Sequence, residues 1–122
     1  MTAEPFVAQA YLKTDCPYSF KYLLFMSEAG LLDSIRIVRC DPDSAAFESI
    51  KQKLLDATGK PATFPTVEVE PDRYLSDSDR LIAHYAHRHQ VRASDLHALA
   101  FYKKGIFPQL QKLHEDQAQS HA

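Results

Sequence analysis

The 122 residues fit a single domain, and a hydrophobic content of 45% is sufficient for one core. A formal net charge of -2, with lysine and arginine scattered along the chain, gives no electrostatic reason to expect nucleic acid or an anionic membrane as a partner. No apolar run approaches the roughly 20 residues that span a bilayer, and no basic region followed by an apolar one opens the sequence, so we expect a cytoplasmic protein.

The first 40 residues predict a strand, a helix and a second strand. Residues 6–12 form a short apolar run typical of a buried strand. Residues 17–29 are too densely apolar for a helix with one narrow apolar stripe, which indicates a helix packed on more than one side. Gly30 is a natural end to that helix, and the β-branched residues at 35–40 predict the second strand.

The next segment predicts a helix that returns the chain to the sheet. The turn-forming residues 41–44 supply N-cap chemistry, and apolar residues recur at helical spacing from Phe47 to Ala57, before Gly59. A strand, a helix and a further strand in this order imply a right-handed parallel crossover.

Two short strands and a third helix complete the predicted fold. Residues 66–70 alternate, with valines on one face, and residues 74–75 can return antiparallel beside them. Ser76 and Asp79 are spaced like a capping box at the start of the third helix. The order of elements, βαβαββα, predicts an α/β fold with a mixed four-stranded sheet and helices on both faces.

Cys16 is the last residue before the first predicted helix, and Pro17 is the first helical residue. The first turn of a helix has N–H groups without intrahelical partners, so the amides of Tyr18 and Ser19 would point at the Cys16 sulfur and stabilise a thiolate. The alternative is a buried, inert thiol, which behaves as a small apolar side chain. Two cysteines are too few for a disulfide scaffold, and we expect the second, Cys40, to be packed in the interior.

The cysteine loop and two later motifs resemble a known fold. Residues 13–19 read Lys-Thr-Asp-Cys-Pro-Tyr-Ser, residues 63–65 read Thr-Phe-Pro, and residues 77–78 read Asp-Ser. With the predicted order of elements, these motifs resemble the thioredoxin fold of glutaredoxins and of the N-terminal domains of glutathione transferases. The resemblance covers residues 6–85.

The resemblance implies a role for each of these residues. Cys16 matches the nucleophilic cysteine, and Lys13 matches a lysine that binds the glycine carboxylate of glutathione and stabilises the thiolate. Pro65 matches a cis-proline, and the backbone of Phe64 before it would pair with the cysteinyl backbone of glutathione. The Asp-Ser pair at 77–78 resembles the pair that holds the γ-glutamyl end, and a helix N-terminus independently suits a carboxylate. The implied glutathione-binding residues are Lys13, Pro17, Tyr18, Phe64, Pro65, Asp77 and Ser78.

Ser19 stands three residues after Cys16, where a dithiol enzyme of this kind carries a resolving cysteine. The resemblance therefore implies a monothiol oxidoreductase or glutathionyl transferase with Cys16 and Ser19 as catalytic residues and glutathione as co-substrate. The Cys16 thiolate would attack a glutathione mixed disulfide and be released by a second glutathione. The second substrate would be a glutathionylated protein or a small-molecule disulfide. Ser19 either donates a hydrogen bond to the thiolate or is an ordinary first-turn residue, and Tyr18 either lies along glutathione or only packs.

The sequence also departs from both families. The paired glycines that glutaredoxins carry before the final helix are absent, and only residues 91–122 follow the predicted glutathione-binding domain at residues 1–90. We expect these last residues to form a helical extension in which Gly105 and Pro108 interrupt or kink a helix over residues 95–113. Its apolar face would pack on the domain or on a partner, such as a second copy in a homodimer. The alternative function is therefore a non-catalytic glutathione-binding or protein-interaction module with the same fold.

His84, His87 and His89 lie close together on the last helix of the predicted fold. His84 and His87 can share a face at i, i+3 spacing. A metal site would need further ligands, and because the sequence offers no convincing one, we expect no metal.

Overall fold

A mixed four-stranded sheet forms the centre of the protein. The computed structural model describes residues 5–120, with side chains described as far as residue 117. The strands are β1 (Ala8–Lys13), β2 (Ile35–Cys40), β3 (Thr66–Glu70) and β4 (Arg73–Ser76). They are ordered β2, β1, β3, β4, with β1 parallel to β2 and antiparallel to β3, and with β4 antiparallel to β3. The predicted mixed sheet is confirmed. The predicted parallel crossover holds for β1 and β2, which the helix Pro17–Glu28 connects, whereas β3, the strand after the helix Phe47–Thr58, runs antiparallel to β1 because it enters the sheet from the opposite end.

Side chains that alternate along β1 divide the interior between two sets of helices. The helices are α1 (Pro17–Glu28), α2 (Phe47–Thr58) and α3 (Ser78–His89). Ala10 and Leu12 belong to one apolar cluster, which contains buried residues of α1 and α3. Tyr11 points to the opposite face, where it is buried in a second cluster with Cys40 and residues of α2. Helices therefore cover both faces of the sheet, as predicted from the order of elements.

The first strand begins two residues later than the sequence predicted. Pairing with β2 starts at Ala8, opposite Ile35, and continues to Lys13, opposite Cys40. Phe6, which the apolar run placed in the strand, lies outside it and is 43% exposed. Hydrophobicity alone gave the wrong boundary because the limits of a strand are set by its partner, which a local pattern does not contain.

The start of α2 differs from the prediction. The N-cap is Ala46, without a side-chain hydrogen bond, and residues 41–44 instead form a preceding turn in which the Ser44 hydroxyl donates to the Asp41 carbonyl at 2.8 Å. The predicted end is correct, because Gly59 takes the left-handed C-cap position with φ 74°.

The start of α3 also corrects the predicted capping box. Ser76 is the last residue of β4, paired with Thr66, so it is not available as a cap. The N-cap is Asp77, whose Oδ1 accepts a hydrogen bond from the Asp79 N–H at 2.9 Å. The sequence pattern located the helix start but shifted its cap by one residue.

The C-terminal helical tail packs on α1. It contains α4 (His97–Phe101), a π-helical stretch (Tyr102–Ile106) and α5 (Phe107–Ser120). Gly105 does not interrupt the helical course as expected: it lies in the π-helical stretch, and Pro108 follows in the first turn of α5, where proline is tolerated. Among the side chains of this tail described as far as residue 117, those of Leu99, Tyr102 and Phe107 are buried. None of the helices within residues 5–120 has the length and apolar content needed to cross a membrane.

Candidate functional site

Cys16 caps the N-terminus of α1 with its sulfur. Its backbone is extended, Pro17 is the first helical residue, and Sγ accepts a hydrogen bond from the Ser19 N–H at 3.5 Å. The thiol also lies 3.7 Å from the Phe64 carbonyl oxygen, to which it donates, and its side chain is largely buried. The amides of Tyr18 and Ser19 were both expected to point at the sulfur, and the hydrogen bond in the structure comes from the Ser19 N–H. The sulfur is therefore held between a helix N-terminus and a carbonyl group.

Ser19 contacts the sulfur through its backbone and the strand through its side chain. The buried Ser19 hydroxyl accepts a hydrogen bond from the Lys13 backbone N–H at 3.1 Å. This bond joins the end of β1 to the first turn of α1, on either side of the cysteine loop. The group of Ser19 that donates to Cys16 is thus its N–H rather than the hydroxyl that the sequence analysis considered.

Lys13 is near the cysteine in sequence, but its ammonium is directed to Asp15. Nζ lies 3.3 Å from the Asp15 carboxylate, which is largely exposed. Because water screens the exposed Asp15 carboxylate, this ion pair contributes little to stability. The expected contact between Lys13 and the glycine carboxylate of glutathione therefore stays a prediction.

Phe64 and Pro65 bring a second segment of backbone to the sulfur. The Phe64–Pro65 peptide bond is cis, and Pro65 is fully buried. The Phe64 carbonyl faces Cys16, while its ring stacks on Phe47 of α2 with centroids 5.9 Å apart. Residues 48 positions apart in sequence thus meet at the candidate site.

A polar cavity of about 440 Å³ lies beside this contact. Of the residues predicted to bind glutathione, it is lined by Tyr18, Phe64, Asp77 and Ser78. Asp77 has φ 80°, a conformation that non-glycine residues rarely adopt, and Ser78 is buried at the first position of α3. The structure therefore brings the Thr-Phe-Pro motif and the Asp-Ser motif to one cavity, and their binding of glutathione stays a prediction.

Lys21 also lines the polar cavity, and the sequence analysis did not identify it. Its side chain is 4% exposed, with Nζ 2.9 Å from Asp79 Oδ1 and 4.1 Å from the centroid of the Phe107 ring. Lys21 is a single cation in the apolar part of α1, and such a charge in an apolar run was the signal that could have indicated it.

A second cavity, of about 460 Å³, is lined by Cys16 itself, and we call it the apolar cavity. Its walls are mostly apolar and include Phe20 of α1 and Tyr102, Ile106 and Leu110 of the C-terminal tail. The Tyr102 hydroxyl donates to the Pro17 carbonyl at 2.8 Å. Burial is the main cause that raises the pKa of Tyr102, and the neighbouring Cys16 sulfur acts in the same direction when it is ionised, so Tyr102 remains a neutral phenol.

Tyr102 could not be identified from the sequence. It is 85 residues from Pro17, in a segment without a recognised motif. Its position depends on how the C-terminal tail packs on α1, which no local pattern encodes.

Cys40 is also a buried free thiol that donates to a backbone carbonyl, but it lies at the end of β2 and lines neither cavity of the candidate site. It has no exposed surface, and its thiol donates to the Val38 carbonyl at 3.4 Å. Burial, the largest effect, raises the pKa of the Cys40 thiol to about 11. The expectation that Cys40 is packed in the interior is confirmed.

Outside the candidate site, the described part of the chain offers no metal-ligand cluster and contains a larger cavity. No group of three or more His, Cys, Asp or Glu residues within this part of the chain could hold a metal ion. A larger cavity, of about 700 Å³, lies beside α2 and the loop after it and includes none of the residues predicted for the site.

Comparison with known proteins gives structural matches only. No protein-family model matches the sequence, and no curated protein does. Among solved structures, glutathione transferase Omega 3C from Trametes versicolor is 18% identical, with a TM-score of 0.54 over 71% of this chain and 34% of that chain. A possible glutathione S-transferase from Rhodopseudomonas palustris is 22% identical, with a TM-score of 0.50 over 67% of this chain and 40% of that chain. Oxidised glutaredoxin 2 from Chlamydomonas reinhardtii is 22% identical, with a TM-score of 0.50 over 76% of this chain and 81% of that chain.

These similarities concern the fold. The match covers 34% and 40% of the two transferases but 81% of the glutaredoxin. At these identities a shared architecture does not transfer activity, because one fold supports many functions. The chain has the thioredoxin-like fold that this glutaredoxin and these glutathione transferases share.

Proposed function

We propose that the protein is a glutathione-dependent thiol–disulfide oxidoreductase or glutathionyl transferase that uses Cys16 as its only nucleophile. The observation that carries this proposal is the position of the Cys16 sulfur. It accepts the Ser19 N–H at the start of α1, lines the apolar cavity and lies 3.7 Å from the carbonyl of Phe64, which lines the polar cavity. A sulfur at this position can react with one ligand while a second occupies the neighbouring cavity.

The charges of the polar cavity are suited to the γ-glutamyl end of glutathione. That end carries one ammonium and one carboxylate, and the cavity offers the carboxylates of Asp77 and Asp79 and the ammonium of Lys21. The N-terminus of α3 at Ser78 adds backbone N–H groups and a partial positive charge, which favour a carboxylate. A volume of about 440 Å³ is within the usual range for a small-ligand site.

The proposed reaction proceeds by two thiol–disulfide exchanges. The Cys16 thiolate attacks the glutathione sulfur of a mixed disulfide, the disulfide bond breaks, and its electron pair leaves with the other sulfur, which takes up a proton. A glutathione thiolate then attacks the Cys16 mixed disulfide, which forms glutathione disulfide and releases the Cys16 thiolate. The Ser19 N–H stabilises negative charge on the Cys16 sulfur at the start and end of this sequence.

Mass spectrometry after incubation with glutathione disulfide tests the proposal. We expect one glutathionyl group on the native protein and on Cys40→Ser, and none on Cys16→Ser, because the buried Cys40 thiol is protonated at neutral pH. The denatured protein should react at both cysteines. If native Cys16 stays unmodified while the denatured protein reacts, the proposed function is wrong.

A non-catalytic module that binds glutathione is the second candidate. It is favoured by the hydrogen bond from the Cys16 thiol to the Phe64 carbonyl, which suits a resting thiol. In that case calorimetry would detect glutathione binding that is unaffected by Cys16→Ala, and the protein would not catalyse exchange between glutathione and a mixed disulfide. The catalytic proposal predicts exchange that Cys16→Ala abolishes.

A further inference from the structure

The first turn of α1 contains a carbonyl group that accepts a hydrogen bond from outside the helix. The Pro17 carbonyl accepts the Tyr102 hydroxyl at 2.8 Å. In a helix a carbonyl at this position also accepts the N–H four residues later, which here belongs to Lys21. A carbonyl oxygen has two lone pairs, so the tyrosine adds a second bond without displacing the helical one. The helix itself does not require this contact.

The peptide unit that receives this bond lies next to the Cys16 sulfur. The Pro17 carbonyl and the Tyr18 N–H belong to one planar peptide unit. Pro17 has no N–H, and the first intrahelical bond runs from the Phe20 N–H to the Cys16 carbonyl at 3.1 Å. The backbone donors ahead of that bond are those of Tyr18 and Ser19, and the Ser19 N–H is bonded to the sulfur at 3.5 Å. The bonded carbonyl is therefore coupled to one of the two donors at the helix end that carries the thiol.

A hydrogen bond to a carbonyl strengthens the donor on the other side of the same peptide unit. The bond withdraws electron density from the amide, so the N–H of that amide becomes more positive. The N–H groups at a helix N-terminus carry partial positive charge, which stabilises a thiolate. The tyrosine hydroxyl thus raises the positive potential at the sulfur, and it also fixes the direction in which the Pro17–Tyr18 peptide unit points.

The Tyr102 ring is held so that its hydroxyl stays on the Pro17 carbonyl. The residue is 6% exposed, and its ring lies edge-on to the Phe20 ring with centroids 5.1 Å apart. The Phe107 ring packs on it at 5.7 Å. Burial raises the pKa of Tyr102, and an ionised Cys16 acts in the same direction, so the hydroxyl keeps its proton at pH values at which a thiol ionises. The hydrogen bond therefore persists while Cys16 loses its proton.

The tail that carries Tyr102 is also attached to the far end of α1. The Glu28 carboxylate accepts the N–H groups of Ala98 and Leu99, each at 2.8 Å. Leu99 is buried in the apolar cluster that contains residues of α1 and α3. Tyr102 is the first residue of the π-helical stretch that follows α4. The tail is therefore fixed at both ends of α1, and the contact at the thiol end is a single hydroxyl.

We propose that Tyr102 is a positioning residue for Cys16, which orients and strengthens the N–H donors at the sulfur through the Pro17 carbonyl. The reactivity of the thiol then depends on how the C-terminal tail packs on α1. This inference rests on the proposed function, because it assigns a regulator to the same nucleophile. Tyr102 keeps its proton throughout, so the two exchange steps are unchanged, and the tyrosine acts only on the fraction of Cys16 that is ionised.

Alkylation of Cys16 by iodoacetamide tests the inference without glutathione. The rate is followed by peptide mass spectrometry from about pH 5 to 10, a range that includes the ionisation of protein thiols. Tyr102→Phe keeps the ring and removes only the hydroxyl. We expect the midpoint of the rate profile to move to higher pH by about 0.3 unit, and the rate on its rising part to fall about twofold, because polarisation changes a hydrogen bond to a charged group by roughly 10–30%. The limiting rate at high pH should stay the same, since both proteins are then fully ionised at Cys16.

Tyr74→Phe is the matched control. Tyr74 is a half-buried tyrosine of β4 that lines neither cavity of the candidate site. It should leave the rate profile unchanged, and circular dichroism should show that both variants remain folded. An unchanged midpoint in Tyr102→Phe would overturn the inference. A change in the limiting rate without a shift of the midpoint would mean that Tyr102 affects only access to the sulfur, and it would also overturn the inference.

Glu28→Ala tests the dependence on the tail. Loosening the start of α4 should move the midpoint in the same direction as Tyr102→Phe, by a smaller amount. The double variant should match Tyr102→Phe alone, because the effect of the tail passes through the tyrosine hydroxyl. An unchanged midpoint in Glu28→Ala, or shifts that add in the double variant, would contradict the inference.

The alkylation experiment and the glutathione experiment can fail independently. If Tyr102→Phe shifts the alkylation profile but glutathione disulfide leaves native Cys16 unmodified, Tyr102 has the inferred role and the proposed function is wrong. If native Cys16 is glutathionylated and Tyr102→Phe leaves the profile unchanged, the inference is wrong and the proposed function stands.

Discussion

Lys21 is the least expected residue of the candidate site because it is a buried cation. Removing an ammonium from water is costly unless other groups replace the lost hydration. Here Asp79 supplies a charge-assisted hydrogen bond at 2.9 Å, and the Phe107 ring supplies a cation–π contact at 4.1 Å. Lys21 therefore connects α1, the start of α3 and the C-terminal tail at one point of the polar cavity.

The substitution Lys21→Met separates the contribution of this charge to binding from its contribution to stability. Asp79 is 71% exposed, so it can be hydrated once its partner is lost, and the methionine side chain fits the apolar surroundings. We expect the free energy of unfolding to change by no more than about 1 kcal/mol. Because a hydrogen bond to a charged group contributes about 1.5–3 kcal/mol, glutathione affinity measured by calorimetry should fall at least tenfold.

Lys51→Met is the control for this experiment. Lys51 lies on α2, pairs with Glu48 at 3.4 Å and lines neither cavity of the candidate site. It should leave glutathione affinity unchanged. Equal losses of affinity in the two variants would show that net charge, and not the buried ammonium, is responsible.

At the scale of elements, α1 joins the sheet to the C-terminal tail. Cys16 caps its N-terminus, and the Pro17 carbonyl in its first turn accepts a hydrogen bond from the Tyr102 hydroxyl. At its other end, the two carboxylate oxygens of Glu28 accept the N–H groups of Ala98 and Leu99, each at 2.8 Å. Glu28 therefore caps α4 from a different helix, which satisfies two N–H groups that a helix start leaves unpaired.

The substitution Glu28→Ala should release the start of the tail. Loss of a charged cap predicts destabilisation of about 1–2 kcal/mol, measured by urea denaturation, and faster hydrogen exchange of the α4 amides. Glu28→Gln retains one acceptor oxygen and should lie between the native protein and Glu28→Ala. If the α4 amides exchange equally fast in all three proteins, the carboxylate does not hold the tail.

At the scale of the whole molecule, stability should depend on pH through His84. Partial burial lowers the pKa of His84, the positive charges of Arg88 and Arg73 and the neighbouring His87 act in the same direction, and Glu70 opposes them. The folded state therefore binds a proton on His84 less readily than the unfolded state does. The free energy of unfolding consequently falls as the pH drops below the ordinary histidine pKa of about 6.5.

The substitution His84→Gln should reduce this pH dependence. Urea denaturation at a series of pH values from about 7 to 5 measures the slope, which should be shallower in the variant because one group with a lowered pKa has been removed. His97→Gln, at the exposed start of α4, should keep the slope of the native protein. An unchanged slope in His84→Gln would assign the pH dependence to other groups.

The sequence by itself determined the order and type of the elements around the sheet. Strands and helices over residues 6–89 are encoded by local apolar periods and by turn residues such as Gly59, which depend only on neighbours along the chain. The ends of the elements were predicted less accurately, because pairing with a neighbouring strand sets them. Phe6 lies outside β1, and Ser76 belongs to β4 rather than capping α3. The thiol at the start of α1 was identified for the same local reason, whereas the Asp-Ser pair at the start of α3 was identified from the resemblance to a known fold.

Only the tertiary structure decided which residues complete the candidate site. The Lys21–Asp79 pair joins residues 58 positions apart, and the Tyr102 hydrogen bond joins residues 85 positions apart. The sequence predicted that Gly105 would interrupt or kink the final helix, whereas the structure accommodates it in a π-helical stretch that aligns Phe101 with Ile106. These features depend on how the tail packs against α1, and long-range packing leaves no periodic signal in the sequence.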